Sequence, residues 1–433
     1  MNSLGQKVLL LNIFLTLLFL SVITANQLSS FTGNINVRAL LFFAVSILFF
    51  YSFYNSIIKW VFESNHYFRL LFAYFIIHNF IIFYLFQIGY SNYEDSELGF
   101  LLNFSRAVNI IFQVFLFIYF FQNFKKENFD FFFMILLSCT LLIFFQYIYF
   151  SFPYFLKGTL PNIVFNDFLF HDPLYTSLIS LITFAYAFTR YFISMKIIYL
   201  LLFLISIIVI FSTYQRSALL AAFIFIILTM ITSRLFSLRQ LLLIFILLFL
   251  SYLFYDLFLS TRENLVSTRS LNDRIVLWAN GLNIFYDYFP FGVGANNNEN
   301  FFALNSQSFV QSIFQFANEI GNEELKKRAF ILLNSSIYEG GISTHNSHID
   351  ILSDFGLLGL IALSLYHYFP IKIMMRNYGK RSYNAILTRS MAILVLSISV
   401  YLLFLSSLQL LWIVFIVYSN MLFLYSRDIK NEK

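Results

Sequence analysis

The stretch "STHNSHIDILSDFGLLGLI", residues 343 to 361, sets two histidines and two aspartates directly ahead of an apolar run. Each ionisable group costs free energy as it nears hydrocarbon, so a plain membrane segment has no use for them. His345 has the chemistry of a general base, because an imidazole with an ordinary pKa of about 6.5 exchanges protons at neutral pH. His348 follows three residues later, and on a helix the two would share a face. With Asp350 or Asp354 they could hold a metal ion, although no third ligand falls at a recognised offset. The plain alternative for each histidine is a hydrogen-bonded structural imidazole. His171 and Asp172 form a second polar pair that sequence alone does not bring near.

Two arginines add a different chemistry. Arg216, in "STYQRSALLAAF", stands at a short turn made polar by Ser212, Thr213, Gln215 and Ser217. A guanidinium there could clamp a phosphate through paired N–H donors, or snorkel to headgroups. Arg274, in "NDRIVLW", is expected to open a helix with Asn272 or Asp273 as N-cap; paired with Asp273 it would be an ordinary surface residue. In "YFPFGVGANNN", Pro290, Gly292 and Gly294 mark a turn whose backbone can approach something closely. That run is no dinucleotide fingerprint, since it lacks the third glycine and the flanking strand and helix.

The elements that must position these residues are membrane spans. Of 433 residues, 60% are apolar and 11% charged, against roughly 25% charged in a soluble domain. Runs of the length that crosses hydrocarbon fall near 7–25, 37–54, 68–88, 105–121, 131–152, 173–194, 197–212, 214–232, 241–259, 355–374, 390–406 and 408–425. The expected fold is an all-α polytopic membrane protein of about twelve transmembrane helices. The runs are continuously apolar and lack the alternation of barrel strands. The first run is longer than a signal peptide's and is expected to be retained. Cys139, the single cysteine, lies inside a span and excludes an intrachain disulfide.

Lys and Arg gather in alternate loops, from Lys7 through Lys125 and Lys126 to Arg427, which assigns that side and both termini to the cytoplasm. The net charge of +6 is then inner-leaflet anchoring, and nothing points to nucleic acid. One connection is long, giving three parts: 1–259 with about nine spans, a periplasmic loop over 260–350, and the spans of 351–433. The loop is expected to fold as amphipathic helices on the outer membrane surface. Ile275, Trp278, Leu282 and Phe285 would form one apolar stripe, and Phe309, Ile313, Phe316 and Ile320 another. Glu323 and Glu324 precede Lys327 and Arg328 at the ion-pair spacing of a solvated helix face.

Together these segments resemble the O-antigen ligase and O-antigen polymerase superfamily. "HNSHIDILSDFGLLG" fits its His-Asn, nine residues, Gly-x-x-Gly pattern, with His345, Asn346, Gly356 and Gly359 at the fixed positions. "NDRIVLWANGLNIFYDYFPFGVG" is similar to its arginine helix and Pro-x-Gly-x-Gly turn, which carries Gly292 and Gly294, and "STYQRSALL" to its arginine at the start of a span. The resemblance implies a C-type glycosyltransferase in the bacterial inner membrane, using an undecaprenyl-diphosphate-linked glycan and no cofactor. It gives Arg216 and Arg274 the diphosphate and His345 the acceptor hydroxyl, with inversion at the anomeric carbon and no metal. Gly356 and Gly359 would let the tenth span pack closely behind His345; His348 and Asp350 would support the site. The implied acceptor is another lipid-linked glycan for a polymerase, the favoured reading, or lipid A core for a ligase. A chain-length regulator or a flippase would be a partner. A lipid-linked oligosaccharide transporter is the reading from a different class, although the inverted repeat and midplane charges of transporters are missing.

Overall fold

The computed structural model describes residues 126–156, 173–213, 215–233, 268–294, 298, 306–339, 344–404 and 411–432, with scattered helical positions among the first 81. The spans expected at 105–121 and 241–259 lie outside the described residues, as do His171 and Asp172. Those at 7–25, 37–54 and 68–88 are described only at isolated positions.

Every regular element among the described residues is a helix. In chain order they are α1 (Lys126–Leu156), α2 (Pro173–Ser194), α3 (Ile197–Ser212), α4 (Arg216–Ser233), α5 (Thr268–Asp287), α6 (Ser306–Glu319), α7 (Glu323–Glu339), α8 (Ser347–Arg376), α9 (Tyr383–Leu402) and α10 (Leu411–Glu432). Helices in α1, α2, α8 and α9 are long and apolar enough to cross a membrane; α3, α4 and α10 contain shorter apolar helices. The described residues are thus all-helical in their regular structure, with apolar helices suited to a bilayer.

The core of the bundle lies along α2 and α9. Leu178, Ile179, Leu181 and Ile182 are fully buried, as are Ala392, Val395 and Ile398. Buried hydroxyls tie the helices where lipid offers no partner: Thr140 donates to Thr183 at 3.0 Å, and the Tyr401 hydroxyl donates to the Leu174 carbonyl at 2.8 Å. α1 turns Met134, Leu142, Phe145 and Tyr149 outward, an apolar surface suited to acyl chains.

Two of the spans that differ from expectation bear on the site. The eleventh span, expected at 390–406, is Tyr383–Leu402, because Ser382 caps the helix by accepting from the Ala385 amide. Arg389, which reads as a flanking base, lies wholly buried inside it and donates to the carbonyls of Asn377 and Lys380. The tenth span, expected at 355–374, is longer and broken. Gly356 (φ +53, ψ −125) interrupts α8, so that arm 347–355 folds back along arm 357–376. His348 and His367 would stand about 28 Å apart on a straight helix, yet their rings are 5.4 Å apart. Only the second arm, about 30 Å long, has a span's length.

In the loop, α5, α6 and α7 form a small cluster around Val276, Leu277, Ile313, Ala317, Leu325 and Ala329. The buried face is rotated from the expected stripe: Val276 and Leu277 are buried while Leu282 is 47% exposed, and Ala317 is buried while Phe316 is 47% exposed. On α5 the shift comes with an ion pair from Arg328. It does not pair with Glu324 but crosses to α5, where its Nη2 meets Asp273 Oδ2 at 2.9 Å and its Nε donates to Oδ1. Packing between helices outweighed the ion-pair spacing within one. In the first turn of α7, Glu323 pairs with Lys326, not Lys327, at 2.6 Å.

Candidate active site

Each of the three residues singled out by chemistry sits at a helix boundary or on a loop helix, at one end of the bundle. Arg216 is the first residue of α4, after a turn that Thr213 closes by capping α3. Arg274 lies within α5, which begins at Thr268, so neither Asn272 nor Asp273 is its N-cap. Its guanidinium stands 5.3 Å from the Phe404 ring, just past α9. His345 occupies the turn before α8 and is exposed.

Their charges feel one another. Burial, then the Arg216 charge, pushes Arg274 below its ordinary value. Although His345 keeps an exposed surface, the protein packed around the rest of it, then the Arg274 charge, pushes its pKa down, opposed by Asp273. A guanidinium stays ionised regardless, whereas the imidazole is held in its neutral, proton-accepting form at neutral pH. Among the described residues no carboxylate pairs with Arg216 or Arg274; the nearby Asp273 is engaged by Arg328.

The turn after α5 meets the break in α8. Val293 N donates to Ser353 O at 3.0 Å, Gly294 N to Asp354 O at 2.9 Å, and Leu357 N to Pro290 O at 2.8 Å. These are the carbonyls and the amide that a helix interruption leaves without intrahelical partners. The glycines are explained by this contact. A Cβ on Gly292 would lie 2.6 Å from the Ser353 and Asp354 oxygens, and one on Gly356 would lie 2.2 Å from the Pro290 oxygen. Gly292, Gly294 and Gly356 all have positive φ. Gly356 is therefore both the break in α8 and a close-packing position, against the Pro290 turn. Gly359 also allows close packing, but between the two arms of α8, since its Cβ would strike the Ile351 carbonyl at 2.2 Å. His78 Nε2 adds a further tie, to the carbonyl of Phe291.

The turn bearing His345 is built of buried polar groups. The Asn346 side chain caps α8 by accepting from the amides of His348 and Ile349 at 3.0 and 3.2 Å. Thr344 Oγ1 accepts from the Asn346 amide at 3.1 Å and donates to Asp350 Oδ1 at 2.6 Å. Asn298 Nδ2 reaches the same carboxylate oxygen at 2.7 Å, and its amide donates to Asp354 at 3.2 Å. Both aspartates therefore serve the scaffold. His348 points away to Ser399 on α9, 2.9 Å distant, and His367 meets the same hydroxyl at 2.6 Å. Among the described residues no three His, Cys, Asp or Glu side chains could hold one metal ion.

Sequence reasoning passed over Gly281, Asn298 and Thr344. A Cβ on Gly281 would lie 2.4 Å from Ile349 and 2.8 Å from Thr344, so this glycine lets the Arg274 helix seat against the His345 turn. It falls seven residues after Arg274, on the same helical face, a signal available from periodicity.

The comparison with known families agrees with this membrane-embedded class. A family model described as O-antigen ligase matches residues 201–364, from α3 into α8. That segment, under half of the chain, is similar to the O-antigen ligase family, the resemblance its motifs gave. No curated protein and no solved structure matches the chain.

Proposed function

We propose that the protein is a membrane glycosyltransferase that polymerises surface polysaccharide from an undecaprenyl-diphosphate-linked oligosaccharide. The observation carrying this reading is the Arg216–Arg274 pair beside a neutral His345. Two guanidiniums close enough to repel, with no carboxylate partner among the described residues, suit a compact polyanion. In the proposed reaction His345 takes the proton of an acceptor hydroxyl, whose oxygen attacks the anomeric carbon. The bond from that carbon to the diphosphate oxygen breaks, and the diphosphate leaves with the electron pair. The arginines stabilise the negative charge growing on it, a task that calls for no metal. Direct displacement of an α-linked donor inverts the configuration.

The proposed setting is the outer face of the bacterial inner membrane, with both termini cytoplasmic and 260–350 as the periplasmic loop between the spans of 1–259 and 351–433. The description of the matching family favours a second reading, a ligase that delivers the same glycan to lipid A core. Purified protein in nanodiscs, given the lipid-linked oligosaccharide alone or with lipid A core, tests both. Polymerisation is expected from the donor alone, with His345→Ala inactive. No product from folded wild type with either acceptor would overturn the proposal.

A further inference from the structure

His345 is held in a left-handed conformation, φ +53, unusual for a residue with a side chain. An L-residue is strained there, and such strain persists only where its surroundings over-determine it. Thr344 is 3% exposed and does this with both ends of its side chain. Its hydroxyl spans His345, accepting from the Asn346 amide at 3.1 Å while donating to Asp350 at 2.6 Å. Its methyl faces Gly281 on α5, where an added Cβ would come within 2.8 Å. Asp350 is fixed in turn by Asn298, and Asn346 is fixed as the cap of α8. One side chain thus links the backbone around His345 to the helix that carries Arg274.

We propose that Thr344 is a positioning residue: its hydroxyl sets the left-handed turn that aims the His345 imidazole, while its methyl only packs beside Gly281 of the Arg274 helix. This inference rests on the transferase reading for its role in turnover, but its geometric content stands apart from activity. Threonine alone satisfies both contacts: valine keeps the methyl without the hydroxyl, and serine the hydroxyl without the methyl.

Two readouts on the full-length protein in nanodiscs test it, for wild type, Thr344→Val, Thr344→Ser and His345→Ala. The first is glycan transfer, resolved into kcat and KM for the lipid-linked donor. Thr344→Val should lower kcat by roughly 10²-fold, the cost of an ångström-scale misplacement, with KM for the donor nearly unchanged; Thr344→Ser should restore most of kcat. The second is the rate of carbethoxylation of His345 against pH, followed by mass spectrometry of its peptide, which reads the neutral imidazole without turnover. The groups acting on it are Arg274 and Asp273. In Thr344→Val the midpoint should rise towards the ordinary histidine value, and in Thr344→Ser it should stay with wild type. Should the valine variant not fold, Thr344→Ala replaces it under the same readouts. A valine or alanine variant with wild-type kcat and midpoint would overturn the inference while leaving the transferase reading intact. Equal turnover by His345→Ala and wild type would overturn the transferase reading, and the carbethoxylation midpoint would still decide the geometry.

Discussion

Replacing Gly356 by alanine tests the junction that joins the arginine helix to the histidine arm. The added Cβ would sit 2.2 Å from Pro290 O, 2.7 Å from Pro290 C and 2.8 Å from Gly292 N, all backbone atoms that cannot swing aside. The positive φ alone costs about 1–2 kcal/mol. Relieving the clash separates the turn from the break and forfeits three hydrogen bonds of 2.8 to 3.0 Å. Each is worth about 0.5–1.5 kcal/mol net, and a buried group left unsatisfied costs about 1–3 kcal/mol. The local penalty is therefore about 3–6 kcal/mol. Gly321 supplies the control, since it also has positive φ (+66) but a Cβ there meets nothing within 4 Å. Its alanine variant should pay only the conformational cost of about 1–2 kcal/mol. Hydrogen exchange read by mass spectrometry is the assay. Peptides covering Val293, Gly294 and Leu357 should lose protection in Gly356→Ala and keep it in Gly321→Ala, with glycan transfer falling in the first alone. Wild-type protection of those amides in Gly356→Ala would refute the account of the junction.

Further outcomes are expected. The acid limb of the pH profile of kcat/KM should lie below the ordinary histidine value of about 6.5: His345 is depressed, so its base form persists below that pH and is lost only as pH falls through the lower value. Arg274→Gln should raise the midpoint of His345 carbethoxylation, because a repelling charge is removed, while Asp273→Asn should lower it. The latter also leaves Arg328, 6% exposed, without its partner and should destabilise the loop cluster by about 3 kcal/mol, seen as earlier proteolysis of α5 to α7. Ser399→Ala removes the hydroxyl shared by His348 and His367 and should lower the thermal midpoint while leaving KM for the donor unchanged.

Much of the architecture was legible because lipid imposes a length and a composition that a window of residues can register. The helices of the loop were legible as helices but not in their facing: on α5 the shift comes with Arg328, which answers to Asp273, 55 residues away in sequence, rather than to a neighbour on its own helix. Arg389 misled for the opposite reason: a buried cation whose Nη1 donates to the carbonyls of Asn377 and Lys380 looks, in sequence, like a loop base. The importance of Gly292, Gly294 and Gly356 was visible, but not that the two motifs containing them would meet. A glycine reports that backbone comes close without naming what comes close to it. Thr344 carried no signal at all, since neither its burial nor its contacts with Asp350 and Gly281 can be read from the residue type.

The arm 347–355 is fixed at its start by the Asn346 cap and at its end by the turn docked on Gly356. It therefore behaves as a ruler of nine residues with both ends clamped. Each residue of an α-helix advances about 1.5 Å and turns about 100°, so inserting or deleting one would leave the junction in place and swing His345 about a quarter of a circle away from Arg274. The same change in arm 357–376, beyond the clamp, would leave the histidine's bearing untouched. The spacing from His345 to Gly356 is thus a phase relation, and its tolerance for change in length is close to zero.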